Sequence, residues 1–164
     1  SIRLQQFKFY DDSDYDPTVE GLWVIGIGNN IFRKRIAEEV LKGKRFISTF
    51  SANSICHSSS KIGEGTQVMA GAVIQMGNNI GSHSVINTSA SVDHDCTLGK
   101  YSFIGPNATL CGGVTVGECS FIGAGATVLP YIKIGKNCMI GAGSVVTKDI
   151  PDNSTAYGNP AKIK

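Results

Sequence analysis

The sequence predicts a mainly β chain: a triangular parallel β-helix of about five coils, preceded by a small α/β segment. Three observations lead there. From Ile62 onward every sixth residue is aliphatic, through Val68, Ile74, Ile80, Ile86, Val92, Leu98, Ile104, Leu110, Val116, Ile122, Val128, Ile134 and Ile140 to Val146. At roughly 30% aliphatic frequency, fifteen hits in a fixed register arise by chance on the order of once in 10⁸. The next position is glycine at 63, 81, 99, 105, 117, 123, 135 and 141. The fourth residue after each aliphatic is mostly small or β-branched, as at Ala72, Ala90, Cys96, Ser102, Ala108 and Val114.

A period of six with three faces makes each coil three hexads long. The aliphatic points inward and the small residue shares the interior beside it. Glycine is expected to help the chain turn each corner by accepting positive φ. Five coils at the strand spacing of ~4.8 Å give a prism roughly 24 Å tall.

Composition agrees. Of 164 residues, 20 are glycine and 17% are charged, against a usual ~25% charged. A backbone ladder between coils needs few charged side chains, and the strict register excludes a low-complexity chain. Lys and Arg number 15 against 13 Asp and Glu, which argues against a nucleic-acid protein held by a basic face. No apolar run approaches the ~18–20 residues of a membrane span, and no secretory leader is visible. The five cysteines include no C-x-x-C, so thiols in a reducing cytosol are expected.

Residues 1–52 follow other rules. Phe7–Tyr10, Leu22–Gly28 and Arg45–Phe50 read as strands. Asn30–Lys42, with apolar Ile31, Ile36, Val40 and Leu41, reads as an amphipathic helix closed by Gly43. The order resembles part of a nucleotide-binding α/β unit whose usual first strand, glycine-rich turn and helix are missing. Two domains are expected: 1–52, a partial α/β nucleotide-binding subdomain, and 53–164, the β-helix with its C-terminal tail. The basic run Arg33-Lys34-Arg35 reads as a solvated face, with phosphate contact as the other reading.

Of three histidines, His57 lies among serines and His83 has no acidic neighbour in sequence. His94 sits in Ser-Val-Asp-His-Asp-Cys between Asp93 and Asp95. An imidazole beside a carboxylate suits a general base, because the carboxylate fixes the tautomer and stabilises the imidazolium. Gly112 lies three hexads, one full coil, beyond His94 and is followed by Gly113. Its unobstructed N–H can serve as an oxyanion donor for acyl transfer, or the glycine simply turns a corner. Cys111 has no base to activate it. Metal binding is not expected, since zinc needs three or four clustered ligands.

The hexads resemble those of the hexapeptide-repeat acyltransferases, which fold as left-handed β-helices and work as trimers. The ending Val145-Val146-Thr147-Lys148-Asp149-Ile150-Pro151 … Tyr157-Gly158-Asn159-Pro160-Ala161-Lys162 looks like that superfamily's C-terminal signature. More narrowly, Gly26-Ile27-Gly28-Asn29-Asn30 with Arg33-Lys34, Asn87-Thr88-Ser89, His94-Asp95-Cys96 and Pro106-Asn107-Ala108-Thr109-Leu110 resemble the sialic acid O-acetyltransferase and bacillosamine-pathway N-acetyltransferase family.

The resemblance implies a cytoplasmic homotrimer that moves acetyl from acetyl-CoA to the amine of a nucleotide-linked amino sugar. It makes His94 the base and Asp95 its support. Gly112 becomes a donor to the thioester carbonyl, and Asp11, Asp12 and Gly28 line the nucleotide-sugar site. It also implies an acetyl-CoA contact at Phe103, where many relatives carry a histidine near the acetyl group. O-acetylation of sialic acid or another glycan, and a non-catalytic trimeric scaffold, remain alternatives.

Overall fold

A computed structural model describes residues 10, 16 and 18–164. Within them the chain is mainly β, a left-handed parallel β-helix with three sheets built mostly of two-residue strands. Each strand pairs with the strand three hexads away, as Phe103 does with Val85 and Phe121, and Val92 with Ile74 and Leu110. One sheet stacks six strands from Ile55–Cys56 to Val145–Val146. A second stacks five, from Lys61–Ile62 to Lys133–Ile134.

The third begins at Thr49–Phe50 and ends with Thr155–Gly158, against which Ala161–Ile163 folds back antiparallel. The prism therefore has about six coils, one more than the hexad count. The extra coil lies where the aliphatic repeat has not yet begun. The strand read over 45–50 divides accordingly. Arg45–Phe46 pairs with Leu22–Trp23, whereas Thr49–Phe50 joins the prism.

The interior is the aliphatic ladder. Ile74, Ile86, Val92, Ile104, Leu110, Ile122, Val128, Ile140 and Val146 are fully buried. Beside them runs a column of small residues. Ser84 and Ser102 share a hydroxyl contact of 3.1 Å, and Ser120 Oγ donates to the Gly135 carbonyl at 2.6 Å. These bonds satisfy hydroxyls that an apolar prism would otherwise strand.

The corners correct one expectation. The glycines that follow the aliphatics do not have positive φ. The left-handed residues sit two places later, at Gly65, Gly71, Gly77, His83, Ser89, Asp95, Tyr101, Asn107, Gly113, Cys119, Gly125, Tyr131, Asn137 and Gly143. The first set is glycine for a different reason. A β-carbon on Gly99 would strike the Glu118 backbone nitrogen, in the next coil. Close approach of coils, not corner conformation, excludes a side chain there.

The helix spans Asn30–Arg35 and continues as a π-helical turn over Ile36–Val40. Asn29 caps it, its Oδ1 accepting the Phe32 N–H at 2.9 Å, and Gly43 with φ +82° leads the chain away. Its buried face is Asn30, Arg33, Ala37 and Leu41, while Ile31 and Val40 are exposed. The apolar pattern thus misplaced the face. Arg33 is the reason: it is fully buried, so the run Arg33-Lys34-Arg35 is not a solvated face.

The Arg33 guanidinium donates to the carbonyls of His83 (2.8 Å), Tyr101 (2.8 Å) and Ile27 (2.8 Å) and to Asn30 Oδ1 (2.8 Å), with longer bonds to Gly28 and Ser102. Lys34 pairs with Glu118 at 2.5 Å, and only Arg35 stays outside, near Glu39. Ile25, Ala37, Leu41, Tyr101 and Cys119 form the apolar seam between this segment and the prism. The strand read over Phe7–Tyr10 lies almost wholly outside the described residues.

Gly99→Ala is expected to cost about 1–3 kcal/mol through overpacking. Gly26→Ala, where a β-carbon meets nothing within 4 Å, should be near neutral. Urea melts of both variants read the difference.

Candidate active site

His94 stands at the corner between strands Ser91–Val92 and Thr97–Leu98. Its position is fixed from three sides. Asp93 Oδ1 accepts the His94 backbone N–H at 2.8 Å. The His94 carbonyl accepts the Gly113 N–H one coil on at 2.9 Å. Asp95 Oδ2 lies 2.9 Å from Nδ1 of the ring. An ionised carboxylate only accepts, so Nδ1 carries the hydrogen and Nε2 keeps its lone pair. Both side chains reach solvent, at 47% exposure for His94 and 71% for Asp95. The Asp95 hydrogen bond, with the charge of Asp93, holds His94 above the ordinary histidine value.

Two glycines make room for this pair. A β-carbon on Gly112 would sit 2.6 Å from both Cε1 and Nε2 of His94. One on Gly77 would collide with Asp95 Oδ1. Gly112 therefore does more than turn a corner: the imidazole occupies the space its side chain would need. Its N–H donates to no described residue. Gly77 was not picked out from sequence. The signal was present, since Gly77 precedes Asp95 by one coil, as His94 precedes Gly112.

The other expectations divide. Gly28 is exposed, and its carbonyl accepts from Arg33 at 3.3 Å, which fixes the loop without placing it at His94. Phe103 lies on the third sheet, stacked on Phe121 with ring centres 4.8 Å apart. One chain does not bring it to the His94 corner. Asp11 and Asp12 lie outside the described residues.

His83 is buried, stacked on Tyr101 at 5.1 Å with its edge toward Phe46, and desolvation lowers its pKa. It belongs to the packing seam. His57 is exposed beside Ser59. Burial raises the Cys111 thiol, which disfavours a thiolate. Among the described residues, no three His, Cys, Asp or Glu side chains cluster to hold a metal ion, and no helix is long and apolar enough to cross a membrane.

Comparison with known proteins agrees with this fold. The bacterial transferase hexapeptide (six repeats) model matches residues 95–130 and 113–148. PerB from Caulobacter crescentus, solved with CoA and GDP-perosamine, is 42% identical. Its TM-score is 0.84 over 86% of this chain and 69% of that one. Perosamine N-acetyltransferase from that organism has also been solved with one histidine replaced by asparagine. The acetyltransferase domain of PglB from Neisseria gonorrhoeae, solved with acetyl coenzyme A, is 38% identical, with TM-score 0.84 over 86% and 69%. WeeI from Acinetobacter baumannii is 30% identical, with TM-score 0.82 and the same coverage. Among curated proteins there is no match.

By proton NMR, His94 should titrate above 6.5, the ordinary histidine value. Asp95→Asn should move its midpoint down, because the largest contribution to the upward shift is lost. An unmoved midpoint would count against the ion pair.

Proposed function

The chain belongs to the hexapeptide-repeat sugar N-acetyltransferases, and from that premise we propose that it transfers acetyl from acetyl-CoA to the amino group of a nucleotide-linked amino sugar. The observation that carries the reading is the His94–Asp95 pair with Nε2 turned onto Gly112, in a fold shared with PerB. His94 is the general base. Its neutral Nε2 takes a proton from the sugar amine as the nitrogen attacks the thioester carbonyl. The N–C bond forms, the C–S bond breaks, and His94 passes the proton to the departing thiolate. The Gly112 N–H supports the negative charge that grows on the carbonyl oxygen. Asp95 holds the reactive tautomer and stabilises the imidazolium.

The glycine pair fits the donor. With no side chains at 112 and 113, the thioester can reach the backbone beside Nε2. The resemblance implies a homotrimer with the site between neighbouring prisms. A second copy is then needed to carry its Phe103 face to a His94 corner. The N-terminal segment, with Gly28 and the Asp11-Asp12 pair, is assigned to the nucleotide sugar. Acetyl-CoA as donor favours the cytoplasm.

The raised pKa of His94 has a defined consequence. The base works only when neutral, so kcat/KM falls as pH drops through the His94 pKa. That acid limb should lie above 6.5 and move to lower pH in Asp95→Asn. A limb that stays in place excludes Asp95 as the tuning group.

His94→Ala, assayed with acetyl-CoA and UDP-, GDP- and dTDP-linked amino sugars, should lose ~10²–10⁴ in turnover. Turnover within about threefold of wild type would overturn the assignment. Hydroxyl acceptors in the same screen separate N- from O-transfer.

A further inference from the structure

The glycine pair at the His94 corner has a second aromatic neighbour. Tyr131 stands one coil beyond Gly113, and a β-carbon on Gly113 would lie 2.5 Å from Tyr131 Cδ1 and 2.8 Å from Cε1. His94 leans onto Gly112 from the coil before, and Tyr131 leans onto Gly113 from the coil after. Two glycines without side chains thus lie between two rings, with their backbones spaced two coils apart, roughly 9.6 Å.

Packing within one chain does not explain Tyr131. The residue is 75% exposed. Its backbone is left-handed, with φ +64°, a conformation uncommon for a bulky residue. The other tyrosine at such a corner, Tyr101, is buried under the N-terminal segment and stacked on His83. Tyr131 has no such cover. Asparagine or glycine stands at most other exposed corners of this kind, as at Asn107, Asn137, Gly125 and Gly143.

We propose that Tyr131 is the wall of the acyl slot opposite His94, and that it limits the transferred group to a short acyl chain. The inference rests on the acyl-transfer reading of the same site. The ring face, not the hydroxyl, forms the wall. A longer chain lying over Gly112 and Gly113 runs into the Tyr131 ring, while acetyl ends before reaching it.

Tyr131→Asn is the informative variant, because asparagine already occupies the same backbone conformation at three corners, Asn107, Asn137 and Asn153. The kcat/KM ratio for butyryl-CoA over acetyl-CoA should rise at least about tenfold, since each methylene in a fitted pocket is worth roughly 10–200-fold. Tyr131→Phe should keep the wild-type ratio within about twofold. A Tyr131→Asn enzyme with wild-type melting and an unchanged ratio overturns the proposal. If Tyr131→Asn does not fold, Tyr131→Gly is read by the same criterion. Wild-type protein that transfers no acyl group to any amino-sugar nucleotide overturns the transferase reading itself. An active wild type with an unmoved ratio overturns the Tyr131 assignment alone.

Discussion

The structure depends on the backbone ladder between coils. Parallel pairing at an offset of three hexads places each residue about one strand spacing from its counterpart in the next coil. The ladder satisfies the backbone polar groups, so the interior can be filled by aliphatic and small residues alone. It also brings coils so close that a β-carbon at Gly99, Gly117 or Gly135 would strike backbone. The glycine surplus and the low charge are two consequences of this one constraint.

The same constraint builds the site. In an ordinary loop, His94 and Gly112 would have no fixed relation. Here they stack, and the imidazole takes the volume that a side chain at 112 would fill. Asp95 takes the volume above Gly77 in the same way, and its left-handed backbone directs the carboxylate back to Nδ1. The two side chains are thus held by two missing side chains and the hydrogen bond between them, on a backbone fixed by Asp93 and Gly113. Little desolvation is involved, as both groups reach water.

Much of this was legible in the sequence. The hexad register revealed the prism, its inward residues and the offset that joins His94 to Gly112. The beginning of the prism was not legible, because Thr49–Phe50 and Ile55–Cys56 pair with later coils without carrying the aliphatic repeat. Nor was the buried side of the helix. An amphipathic pattern assigns burial by apolarity, and Arg33 breaks that rule by satisfying its donors on carbonyls brought together only by the coils. The corner residues with positive φ were also missed, since Asp95, Tyr101 and Tyr131 are poor sequence markers of that conformation.

Arg33 shows what such a side chain requires. Burial lowers its pKa to about 10, yet it stays charged at neutral pH. No carboxylate among the described residues meets it, and its acceptors are Asn30 Oδ1 on its own helix and two sets of carbonyls: the Ile27-Gly28 loop and the His83, Tyr101 and Ser102 corners. A lysine has one nitrogen on a flexible stem and cannot span both sets. The planar guanidinium can, and it does so where no described strand before Thr49 pairs with the prism. The clamp therefore fixes the loop's orientation where the ladder does not reach, and the seam of Ile25, Ala37 and Leu41 supplies the apolar burial beside it. Segment and prism are joined by a polar fastening inside an apolar contact, so loss of either would free the Gly28 loop while leaving the coils, whose ladder is independent of it, in place.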